Sequence, residues 1–104
     1  MLCSNTEEIP GQKIVEFYGV VTGSTVRAKP IHRDFAASVK NILGGELKGY
    51  TELLQEARQE ALHRMMEQAR SVGANAVINV RFATSSIAQG AAELFAYGTA
   101  VKVE

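Results

Sequence analysis

A chain of 104 residues with 46% hydrophobic and 21% charged side chains is sized for one domain with a modest core and little room for a deep private pocket. Eleven basic residues balance eleven acidic ones, so the chain lacks the positive field needed for sequence-independent nucleic-acid binding and the net charge that keeps copies apart. The single cysteine, Cys3, excludes an intrachain disulfide.

Residues 1–12 read as a flexible lead-in, with no basic region and no apolar run of a signal peptide. Nothing further along reaches the ~20 apolar residues of a membrane-spanning helix, so the cytoplasm is the expected compartment. Pro10-Gly11 marks a turn before a single domain over 13–104. Residues 13–22, KIVEFYGVVT, read as a strand covered on both sides. Val15, Phe17, Gly19 and Val21 fall on one face, and Ile14, Glu16, Tyr18 and Val20 on the other. Gly19 suggests a bulge or a close neighbour. Gly23-Ser24 breaks the pattern, and Thr25–Lys29 is a candidate short extra strand.

Pro30 suits the first turn of a helix. Ile31, Phe35, Val39 and Ile42/Leu43 carry helical spacing over 31–43, and Gly44-Gly45 ends that helix. The clearest element covers 50–72. There Leu53, Leu54, Ala57, Ala61, Met65, Ala69 and Val72 form one apolar stripe, and Gly73 is placed to cap it. Glu60 and Arg64 stand four apart in the favoured order. Residues 76–84 alternate like a half-buried strand. Residues 85–92 read as a small-residue loop with its turn at Gly90, and 93–103 as the last strand. On that strand Phe95, Tyr97, Thr99, Val101 and Val103 share one face. Leu94, Ala96, Gly98 and Ala100 share the other, which is small enough for a helix to approach closely.

The order β–α–α–β–β predicts an α+β fold, with a small, mostly antiparallel sheet covered by the long helix. The second sheet face still carries Phe, Tyr and Val, and the sheet edges stay open. A symmetric partner would bury both, so the expected partner is the chain itself.

Several segments resemble the YbjQ-like family. They are Gly11–Gly23, Arg33-Asp34-Phe35, Gly44-Gly45, Tyr50, Leu54…Ala57-Arg58, Ala69…Gly73-Ala74-Asn75-Ala76-Val77 and Gly98–Lys102. They occur in order over almost the whole chain. The resemblance implies a dodecin-subunit-like chain that assembles into a ring-like homopentamer, with short extra strands helping assembly. It brings no biochemical function, although some members carry a heavy-metal-binding label. Lys29-Pro30 and His32 depart from the family pattern just before Arg33-Asp34, which puts any ligand site at that helix start in doubt.

For metal, the chain offers Cys3, His32 and His63 without CxxC, HxxxH or CxH spacing. Cys3 and His32 from neighbouring chains are the candidate ligands, and His63 reads as a surface residue. At the predicted helix start, Arg33 could grip an anion and Asp34 orient it. The plainer reading is that Asp34 favours the helix dipole and Arg33 pairs across a subunit contact. The glycine-rich stretch Gly44-Gly45…Gly49-Tyr50 could cradle a phosphate, but it lacks the Lys-Ser/Thr ending of a P-loop and also serves as a plain helix connection. Ser85-Ser86 and Thr84 have no GxSxG context. No motif names a cofactor. The sequence thus favours a homo-oligomeric binding or scaffold protein with an inter-subunit ligand site around Arg33, Asp34, Gly44, Gly45 and Tyr50. A metal-binding or metal-sensing protein and a small enzyme with a shared active site are the alternatives.

Overall fold

The computed structural model describes residues 1–28 and 48–104. The elements are β1 (Leu2–Cys3), β2 (Ile14–Ala28), α1 (Lys48–Ser71), β3 (Ala76–Ala88) and β4 (Ala91–Val103). They form a four-stranded mixed sheet in the order β1-β3-β4-β2 with α1 on one face. β4 pairs antiparallel with both β3 and β2, while the short β1 pairs parallel with β3. This is the expected α+β plan of a sheet covered by the long helix. The expected helix over 31–43 lies outside the described residues.

The periodic stripe of α1 becomes the core. Ala57, Ala61, Met65 and Ala69 are buried against Val21, Val77, Leu94, Ala96 and Ala100. Alanine on both sides lets backbones approach, and at Gly23 they nearly touch. A Cβ built there would stand 2.3 Å from both the Ala61 carbonyl oxygen and the Met65 nitrogen. Gly23 therefore admits the helix and does not break the strand. Leu53 and Leu54 are half-buried at the start of the stripe. Val72 is exposed because the helix has already ended. Gly73 at φ 97° caps it, with Ala74 donating to Ala69 and Gly73 to Arg70 in a Schellman arrangement.

Four expectations change. The lead-in is tied down. Leu2 and Cys3 pair with Ala76 and Val77, Ser4 donates to Val77, and Asn79 and Val80 donate back to Thr6 and Ser4. Ile9 is buried with Ala76, Ile78, Val101 and Val103 on the sheet face away from α1. The 13–22 strand runs on unbroken to Ala28, absorbing the candidate extra strand. The expected loop over 85–92 is mostly ladder, because β3 extends to Ala88 and β4 begins at Ala91. Finally, the alternation of β2 changes phase. Register shifts fall at Ile14/Glu16 and Phe17/Gly19, and Gly19 takes φ 98°. Past this bulge Tyr18 and Val21 both join the helix-side core, while Phe17 and Val20 face outward, each 75% exposed.

The long strands make the molecule elongated. A fifteen-residue strand spans about 50 Å, close to the 54 Å long dimension of a 54 × 24 × 16 Å body. Its radius of gyration is 17.3 Å, against about 13 Å for a compact domain of this size.

Candidate functional site

The hairpin tip and the start of α1 enclose a groove of about 220 Å³ lined by Arg27, Leu53, Leu54, Ser86 and Gly90–Ala92. Its walls follow from the register. Arg27 and Ala92 pair directly, so both point to the helix side where Leu53 and Leu54 descend from α1. Arg27 and Ser86 carry the polar side chains of the groove lining, and the rest is apolar or glycine. The Arg27 guanidinium is already engaged, bonding Glu60 and lying 4.0 Å from Glu56. Glu60 also takes Arg64. The bond from Arg27, ahead of the other nearby positive charges, holds the Glu60 carboxyl below the ordinary glutamate range despite partial desolvation. A guanidinium paired in this way helps fix α1 to β2.

The sequence-based candidates distribute unevenly. His32, Arg33, Asp34, Gly44 and Gly45 lie outside the described residues. Tyr50 lies in the first turn of α1. Cys3 sits exposed on β1. Local desolvation is the largest influence on its thiol and pushes it up, against the pull of the N-terminal ammonium and Arg70, so this environment disfavours the nucleophilic thiolate. His63 is exposed on the solvent side of α1. Among the described residues, no group of three His, Cys, Asp or Glu side chains is placed to hold a metal ion. Ser85 and Ser86, expected in a loop, are exposed strand residues of β3.

Sequence reasoning missed two features. Arg27 and Gln68 bind β2 to α1: Arg27 reaches Glu60, and the Thr22 N–H donates to the Gln68 amide oxygen at 2.7 Å. The available signal was the alternation of Val21, Gly23, Thr25 and Arg27, legible only once the bulge had reset the phase. Asn75 is the other. Its amide donates to the Val103 carbonyl at 2.9 Å and accepts from the Val103 N–H at 2.8 Å, clamping the start of β3 to the end of β4.

The sheet face away from α1 is the largest feature left uncovered among the described residues. The N-terminal segment closes its lower half through Ile9. Phe17, opposite Val101, and further up Val20, Val26 (54% exposed) and Tyr97 remain in solvent, with Phe95 tilted 35° against Tyr97 at 5.5 Å between ring centroids. No helix among the described residues is long and apolar enough to cross a membrane.

Comparison with known proteins gives one consistent answer. A family described as "Putative heavy-metal-binding" (YbjQ) matches residues 1–104. A "UPF0145 protein" of Hahella chejuensis is 68% identical over 104 residues, covering all of both chains. One from Thermotoga maritima is 53% identical over 104 residues, covering 100% of this chain and 98% of its own. One from Archaeoglobus fulgidus is 52% identical over 103 residues, covering 99% and 95%. These names state a family and no activity. Among solved structures, a protein of unknown function from Pediococcus pentosaceus, of the DUF74 family, superposes with a TM-score of 0.62 at 16% identity, covering 100% of this chain and 98% of that one. At that identity the likeness concerns the fold alone. Matched along every residue and more than half identical to relatives from bacteria and archaea, the chain belongs to the YbjQ family.

Proposed function

We propose that the protein is a cytoplasmic homo-oligomeric binding or scaffold protein, a ring-like homopentamer without catalytic activity, in which any ligand sits between subunits. The observation that carries this reading is the sheet face away from α1, where, among the described residues, Phe17 and Val20 are each 75% exposed and Val26 and Tyr97 also stand in solvent. Each such side chain gains roughly 1.5–3 kcal/mol on full burial, so a partner laid along this face gains from several of them at once. Zero formal charge removes the repulsion that would oppose self-association. The five-fold count rests on family resemblance. The ligand site is proposed between subunits around Arg33, Asp34, Gly44, Gly45 and Tyr50, on the sequence reading and the family resemblance. Light scattering at micromolar concentration should show an assembly, and Val20→Asp should disperse it to a folded subunit. A wild-type protein that is a stable monomer overturns the proposal.

The family description supports a second reading, a heavy-metal-binding protein. One exposed thiol is too few ligands for a thiophilic ion, so Cys3 and His32 would have to be contributed by different copies. Elemental analysis of tag-free protein tests this: metal retained in fixed proportion to subunits supports it, and metal-free assemblies reject it.

A further inference from the structure

We propose that the outer half of β3, Arg81–Ala88, is the strand edge through which this chain pairs with a second copy of itself, while the upper edge of β2 is kept closed. The inference rests on the homo-oligomer reading and assigns the surface that joins the copies.

Among the described residues, the strand order leaves β2 and β3 on the two sides of the sheet, with β1 shielding the lower end of β3. Ser4 and Thr6 extend that shield to Asn79 and Val80, and the Arg81 guanidinium donates to the Asn5 carbonyl at 2.7 Å. Above Arg81 no described residue bonds the outer side of the strand. The pairing parity shows which groups point there. The Thr22 N–H points away from β4 to reach Gln68, so the Thr22–Tyr97 pair exchanges no ladder bonds. Tyr97 therefore turns its backbone toward Arg81, and the alternating residues Phe82, Thr84 and Ser86 turn theirs outward.

The upper edge of β2 is treated differently. Gln68 accepts from the Thr22 N–H, Arg64 donates to the Ser24 carbonyl at 2.6 Å, and Arg27 donates to the Val26 carbonyl at 3.4 Å. Three side chains thus occupy three of the six outward groups of Thr22, Ser24 and Val26 that a docking strand would use. α1 packs mainly over β2 and β4 and barely reaches β3, so β3 receives no such guard from it. Nor does β3 protect itself. Residues 82–88, FATSSIA, contain no charge and no proline, the devices that blunt solvent-exposed edges. Phe82 and Ile87 are 44% and 54% exposed.

A long edge without charge or proline is a hazard in solution unless the native assembly covers it. A second copy is the fitting occupant. The chain has no net charge, and the uncovered Phe17, Val20 and Tyr97 lie on the same sheet, so edge and face can be buried together. A closed ring requires two different surfaces per copy, so the β3 edge meets a surface of its neighbour other than the guarded upper edge of β2.

The test uses hydrogen exchange and one substitution in the full chain. In the assembly, the Phe82, Thr84 and Ser86 amides should exchange on the order of tenfold or more slowly than in subunits dispersed by Val20→Asp. Thr84→Pro removes an outward N–H and no β4 ladder bond, so it should reduce the particle size while circular dichroism stays native. If the proline fails to fold, the exchange comparison decides alone. Wild-type assembly with these three amides fast, or equally protected in the dispersed subunit, overturns the edge assignment but leaves the oligomer reading standing. A monomeric wild type sinks the oligomer reading itself.

Discussion

The two faces of this sheet are made from the same strands yet solve burial in different ways. On the helix side, small residues (Gly23, Ala96, Ala100) meet small residues of α1 (Ala57, Ala61, Ala69) around the fully buried Met65. Contact there is between backbones and leaves no slack. On the other side, larger side chains are closed by the N-terminal segment at one end and left in solvent at the other. The difference shows where the fold is complete and where it is not. The helix side should respond steeply to any added atom, and the upper half of the other side should tolerate substitution within the subunit.

The largest expected effect lies on the helix side. Gly23→Ala places a methyl where the α1 backbone already stands at 2.3 Å, and neither backbone can yield without lifting the helix. A loss of about 3 kcal/mol or more is expected in chemical denaturation, and a loss below about 1 kcal/mol would contradict the close approach. Val20→Asp provides the contrast. It should change particle size while costing the isolated subunit only about 0.5 kcal/mol.

Between the two lies the Asn75 clamp on Val103. Asn75→Ala leaves a backbone N–H and a carbonyl without their side-chain partner, so a loss of about 1–3 kcal/mol is expected. Faster exchange confined to the Val103 end of β4 would accompany it.

The smallest effect is the acid response of Glu60. Its folded carboxyl titrates below the ordinary glutamate range because of Arg27. The stabilisation is therefore present above the ordinary glutamate value and is lost as pH falls through the lower folded value. Melting curves of wild type and Glu60→Gln should differ near neutrality and converge in acid. A difference that grows on acidification would show that the ion pair does not stabilise the subunit.

Much of the helix-side architecture was legible in the residues. The stripe from Leu53 to Ala69, the cap at Gly73 and the small face of β4 depend on spacing along one element, so local periodicity reveals them. The candidate site was legible only as residue types. Cys3 is placed on an exposed strand, and Arg33, Asp34, Gly44 and Gly45 fall outside the described residues. Arg27 was missed because its face depends on the bulge at Gly19, well upstream on the same strand.

By itself the sequence determined the helix, the closing hairpin, the α+β class and an apolar surplus on one sheet face. These follow from the periods 3.6 and 2 of local backbone geometry. Only the tertiary structure decided that Leu2–Cys3 would pair parallel with β3, that Gly19 would reset the phase of β2, and that residues 85–88 would extend the ladder. Each depends on which distant strand supplies the hydrogen-bonding partner, and a strand's own residues do not encode its neighbour's register.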